Sequence, residues 1–155
     1  MAATAALVLV LVLSTPLSLL AFAGTEEGYR LYVFADSRCP HCKSLIDFFR
    51  EQGYRYSVCY VDLSAACNAL FADFLGATGL PGLVPVTVAV ADGRVAAIVV
   101  GALRDAQFWE TAKSGRDEGG DIPVYMPAGA GAVKAGSVPA SREEAIASIL
   151  SKFPG

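Results

Sequence analysis

Histidine is almost missing from this chain: His41 is the only one in 155 residues, and there are four cysteines. A closed zinc site takes four ligands, usually two Cys-x-x-Cys pairs or one pair with histidines. Only Cys39 and Cys42 have that spacing, His41 lies between them, and Cys59 and Cys67 do not make a second such pair. Zinc is therefore the weaker reading of Cys39 and Cys42. Basic stretches are missing too. The formal net charge is −3 and charged residues make up 17% of the chain, which argues against nucleic acid as a partner. Amide side chains are scarce, with Asn68, Gln52 and Gln107 the only ones. Thermophile proteins share that depletion. Because hyperthermophile cytosols keep disulfides, paired cysteines alone would not prove export.

The N-terminus has no Lys or Arg ahead of its apolar run, residues 5–13. Pro16 breaks the run, and Ala21, Phe22 and Ala23 precede Gly24. An apolar core followed by an A-x-A sequence reads as a secretory signal, residues 1–23, cleaved after Ala23. The alternative is an uncleaved membrane anchor, since residues 2–23 are just long enough to span a bilayer. Both readings put the remainder outside the cytoplasm, secreted or anchored, in a disulfide-permissive place. A third alternative is a cytosolic protein that buries the segment as a helix. The rest of the chain suits one domain, and a 54% hydrophobic composition can supply a real core.

What is present is Cys39-Pro40-His41-Cys42, directly after the apolar run Leu31, Tyr32, Val33, Phe34 and before a helical stretch at residues 43–52. Strand, then Cys-x-x-Cys, then helix points to redox chemistry. Cys39 falls at a helix N-terminus, where unpaired N–H groups and the helix dipole favour an anion. Pro40 suits the first helical position. A thiolate at Cys39 is stabilised there and becomes both nucleophile and leaving group. Cys42, one turn on, is placed to close a disulfide, and His41 adds a polar neighbour to the thiolate.

Residues 29–35 read as a buried strand, and residues 54–61 as a second. Ser64 can cap a helix carrying Cys67, Leu70, Phe71, Phe74 and Leu75 at helical spacing. Residues 86–91 and 95–100 are strands joined by Asp92-Gly93, a hairpin signal. Asp105 can cap a third helix through Lys113 that buries Phe108, Trp109 and Ala112. The order β-α-β-α-β-β-α ends near Gly115. The first two strands should be parallel, because a helix joins them, and the hairpin supplies antiparallel pairing.

Strand, CPHC, helix, then Leu83-Val84-Pro85 opening a hairpin resembles the thioredoxin superfamily over residues 29–115. The resemblance implies an α/β three-layer sandwich and a cis-proline at Pro85 facing the cysteines. Val84 and Pro85 would then bind substrate, with the Val84 backbone pairing strand to strand with an extended peptide. CPHC itself is similar to DsbA-type thiol oxidases, as is a valine before the cis-proline, but the short helix after Ser64 leaves no room for the helical insertion of that group. The compact layout and residues 101–105 look more like glutaredoxin. Thioredoxins carry a buried acid six residues before the first cysteine, where this chain has Val33. Asp36 is nearer in sequence and can act on Cys42 through water, or it is a loop-capping residue.

Cys59 and Cys67 are candidates for a structural disulfide, since an even cysteine count in an exported protein favours pairing. The alternatives are two buried thiols, or a second redox or metal pair. Residues 116–155 form a Gly-rich extension to the thioredoxin-like unit at residues 24–115. It has a candidate strand at residues 122–126 and a capping box, Ser141-Arg142-Glu143-Glu144. The amphipathic helix that follows, with Ala145, Ile146, Ile149, Leu150 and Phe153 on one face, is expected to dock on its own domain.

These readings converge on an exported thiol–disulfide oxidoreductase. Cys39 attacks, or is attacked when oxidised, a mixed disulfide forms with a cysteine-containing substrate protein, and Cys42 resolves it. The dithiol is its own cofactor, with no metal, nucleotide or flavin needed, and a further redox partner resets it. The oxidase or isomerase direction is favoured. The alternatives are a glutaredoxin-like disulfide reductase and a non-enzymatic copper-binding module using Cys39 and Cys42 as soft ligands. Copper chaperones usually carry extra Met or His ligands, and beyond the signal only Met126 and His41 are available.

Overall fold

Strand β1 (Tyr29–Ala35) is apolar on both faces, and the fold is organised around it. A computed structural model describes residues 28–155, so the signal or anchor expected at residues 1–23 lies outside the described residues. Successive strand side chains point to opposite faces. Leu31, Val33 and Ala35 pack with the helices on one side, and Phe34 with those on the other. Helix α1 (Pro40–Glu51) leads to β2 (Tyr56–Tyr60), which pairs parallel to β1 as a helical crossover requires. Helix α2 (Ala65–Thr78) follows. Ser64 caps its N-terminus by accepting from Cys67 N at 3.2 Å, and Gly79 ends it at φ +70. Strands β3 (Val86–Ala91) and β4 (Arg94–Val100) form the expected hairpin, with Asp92 and Gly93 both at positive φ. Helix α3 (Ala106–Ala112) is capped by Asp105, which accepts from Gln107 N and Phe108 N at 3.0 and 3.2 Å.

The sheet does not stop at β4. Residues after Gly115 add β5 (Ile122–Ala128), parallel to β4, and β6 (Gly131–Val138), antiparallel to β5. One six-stranded sheet results, in the order β2-β1-β3-β4-β5-β6. The Gly-rich stretch is thus part of the sheet. β6 was not legible because five of its eight residues are exposed and only Val138 is buried: the ladder to β5 holds it, and no apolar alternation is needed. Helix α4 (Glu143–Leu150) packs with α2 on one face, and α1 and α3 cover the other, giving three layers. This is the thioredoxin-like arrangement, extended by an edge hairpin and a C-terminal helix.

Helix α4 docks on its own domain through Ile146, Ile149 and Leu150, and Phe153 reaches the ring of Phe34 at 4.8 Å. Its N-terminus departs from the expected capping box. Ser141 lies in a 3-10 turn, Ala140–Arg142, and neither the turn nor α4 has a side-chain cap. The carboxylate of Glu143, next to the expected capping acid Glu144, is held by β4. It accepts from Val95 N at 2.8 Å and pairs with Arg116, whose Nε donates to Val95 O at 2.8 Å. Arg116 is 6% exposed, so its charge depends on this partner. Arg116→Ala is expected to lower the unfolding free energy by about 2–3 kcal/mol, because it removes the buried guanidinium from Val95 O and Gly120 O and leaves Glu143 only the Val95 amide and Arg94 at 3.7 Å. Urea denaturation checks this, and a loss within the range of exposed pairs, about 0–1 kcal/mol, would contradict it.

Candidate active site

The register brings several loops to one end of the sheet. Phe34 pairs with Val86 in β3, Ala35 with Tyr60 in β2, and Val86 with Val100 in β4. The turn after β1, the β2–α2 loop, Val84-Pro85 and the segment after Val100 therefore share the end where β1 finishes. In sheets of this kind, ligands meet the protein at the carboxyl ends of the parallel strands.

Cys39 is the N-cap of α1, with extended backbone, and Pro40 occupies the first turn. The Cys39 carbonyl accepts from Lys43 N at 3.1 Å, opening the helix. Its Sγ accepts from Cys42 N at 3.3 Å, so the sulfur takes one of the amides that a helix start leaves unpaired. Cys39 is half-buried, His41 is exposed, and Cys42 is 1% exposed among Leu45, Ile46 and Phe49. Both thiols are free. Burial, and then the hydrogen bond to Cys39, push the Cys42 thiol up to about 12. A backbone hydrogen bond from Asp36 works the other way.

The Val84–Pro85 bond is cis. Pro85 is buried and its carbonyl accepts from Gly101 N at 2.8 Å, tying it to the segment after β4. Val84 is half-buried and packs on the same core layer as Cys39. Gly101 has φ +113, and a Cβ there would stand 2.9 Å from Pro127 Cδ, so only glycine lets the β5–β6 hairpin close on this loop. Between the hairpin tip and α1 lies a cleft of about 700 Å³ lined by Pro40, Lys43, Leu103 and Arg104.

Cys59 and Cys67 are joined in a disulfide, with Cα atoms 5.3 Å apart and both residues buried. It spans the β2–α2 loop. Among the described residues no group of three or more His, Cys, Asp or Glu side chains converges as a metal site, and no helix is long and apolar enough to cross a membrane.

Asp36 acts as a loop cap. Its carboxylate accepts from Arg38 N at 2.8 Å and binds the Arg38 guanidinium at 3.1 Å, and those hydrogen bonds hold it below the usual carboxylate range. Val33 is fully buried, so no acid reaches Cys42 from that position. Asp62 was not singled out in the sequence. It accepts from Ser37 N at 2.8 Å and from Ser37 Oγ, and stands 3.8 Å from Arg38 Nε. The contact joins residues 25 apart, and no local pattern announces it.

No protein-family model matches this chain, and no curated protein matches it. Among solved structures it is similar to the glutaredoxin (grx-1) from Archaeoglobus fulgidus, at 24% identity over 48% of this chain and 76% of that one, with a TM-score of 0.39.

Proposed function

We propose that this protein is a thiol–disulfide oxidoreductase working outside the cytoplasm, in the oxidising or isomerising direction. The observation that carries the reading is Cys39 Sγ at the start of α1, accepting the Cys42 amide, with the Cys42 thiol buried behind it. The sulfur nearer solvent stands at the helix start, where an incoming thiol or disulfide meets it before Cys42. In the oxidising direction a substrate thiolate attacks Cys39 Sγ of the disulfide form. The Cys39–Cys42 bond breaks, a mixed disulfide forms, and Cys42 leaves and takes up a proton. A second substrate thiolate attacks the mixed disulfide and releases Cys39. The substrate loses two electrons and the dithiol gains them. Val84 and Pro85 are assigned the substrate backbone, beside the end of β1. The Ala21-Phe22-Ala23 pattern supports export, and a buried Cys59–Cys67 bond suits an oxidising compartment.

The deciding measurement is the reduction potential of the Cys39–Cys42 pair. About −120 mV marks a disulfide donor, about −270 mV would mark a thioredoxin-like reductant, and about −200 to −230 mV would favour the glutaredoxin-like reductase instead. Alkylation of the reduced protein near neutral pH assigns the roles. Cys39 is expected to label first, because Cys42 stays protonated at any pH well below about 12. Preferential labelling of Cys42 would reverse the assignment.

A further inference from the structure

The turn that delivers Cys39 to its helix is held from outside. Only Asp36, Ser37 and Arg38 separate β1 from Cys39. Cys39 N donates to Asp36 O at 3.1 Å, so the placement of Cys39 follows the placement of this turn. Asp62, on the β2–α2 loop, takes both the amide and the hydroxyl of Ser37 and approaches Arg38. Its carboxylate is 11% exposed, and the two Ser37 hydrogen bonds hold its carboxyl below the usual range. An ionised acceptor makes the stronger hydrogen bonds.

Asp62 is itself fixed. Val61 N donates to Ala35 O at 2.9 Å, and Asn68 Nδ2 donates back to Val61 O at 3.3 Å. Ser64 N donates to Tyr60 O at 3.2 Å while its Oγ caps α2. The Cys59–Cys67 disulfide closes this loop at its base, from the end of β2 to the first turn of α2. A buried covalent bond thus closes the loop that carries the carboxylate gripping the Cys39 turn.

We propose that Asp62 is a positioning residue for Cys39 and that the Cys59–Cys67 disulfide braces it, so that the second cysteine pair sets the reactivity of the first. The inference rests on Cys39 being the reactive thiol of the proposed function. Its consequence is that loosening the β2–α2 loop slows chemistry at a sulfur it does not touch. The turn relaxes, and Cys39 spends less time in line with the helix amides.

The test is the alkylation rate of Cys39 near neutral pH in the full chain, after mild reduction that leaves Cys59–Cys67 closed, as checked by mass. Asp62→Ala is expected to slow Cys39 labelling about fivefold while Cys42 stays unlabelled. Partial unfolding would instead expose Cys42, so its protection separates positioning from damage. Asp62→Asn keeps an oxygen for the Ser37 amide and is expected to stay within about twofold of wild type. The Cys59→Ala/Cys67→Ala variant is expected to slow Cys39 as Asp62→Ala does, and the combined variant to be no slower than either, since all act on one turn. Unchanged labelling in Asp62→Ala overturns the proposal. So does an Asn variant as slow as Ala, which would make the effect one of charge on Arg38. Multiplying effects in the combined variant would remove the disulfide from the brace. If the wild-type protein catalyses no disulfide exchange, the proposed function fails, while the labelling series still decides whether Asp62 positions Cys39.

Discussion

Cys39→Ser is expected to abolish disulfide exchange, and Cys42→Ser to leave the protein covalently joined to its substrates. The two losses differ because the two sulfurs are placed differently. Cys39 is half-buried at the helix start and takes the Cys42 amide, so incoming sulfur meets it first. A hydroxyl there is no nucleophile near neutral pH without a base, and the rate should fall by at least about a thousandfold. Cys42 is 1% exposed and its thiol is pushed up to about 12 by burial, so it cannot begin exchange with a protein. In the isomerising direction it acts only once Cys39 has attacked a substrate disulfide and a mixed disulfide stands there. Removing it blocks that release, so with disulfide-bearing substrates complexes should persist on a non-reducing gel and disappear with reductant. If Cys42→Ser turns over normally, a substrate or solution thiol does the resolving and the buried cysteine has another role.

Trp109→Ala is expected to be the most damaging single change to stability. Trp109 is fully buried in the layer formed by α1 and α3. Its ring meets Phe49 and Phe108 edge to face, each with centroids 5.1 Å apart. Truncating a buried tryptophan costs about 3–5 kcal/mol, a large part of the 5–15 kcal/mol that typically holds a domain together. The indole also has a local task. Its Nε1 donates to Leu103 O at 2.9 Å, and Leu103 lines the cleft beside Pro40. Trp109→Phe keeps the ring but leaves that carbonyl unpaired, so about 1–2 kcal/mol should be lost. Chemical denaturation of both variants checks the order. A loss under about 1 kcal/mol for Trp109→Ala, the scale of a surface change, would contradict the assigned packing.

Much of the fold was legible because its signals are local. The run at Tyr29–Ala35, the caps Ser64 and Asp105 and the Asp92-Gly93 turn each act within a few residues, and the structure places an element at each. The capping box at Ser141 does not form because Ser141 falls inside a 3-10 turn ahead of α4, so the helix starts a residue later than the local pattern places it. Strand β6 went unread because pairing with β5 holds most of it and only Val138 is buried.

The sequence by itself determined the chemistry: which two sulfurs lie one turn apart, which of them meets a helix start, and that a proline opens the neighbouring strand. Helix dipoles and proline geometry act over a few residues, so spacing along the chain is enough to read them. Only the tertiary structure decided what surrounds those sulfurs. It buried Cys42, bridged Cys59 to Cys67, and set Asp62 against Ser37. It also carried the sheet through β5 and β6, so that Pro127 closes on Gly101. Each of these joins segments distant in sequence, and such contacts exist only once sheet register and helix packing have brought the segments together.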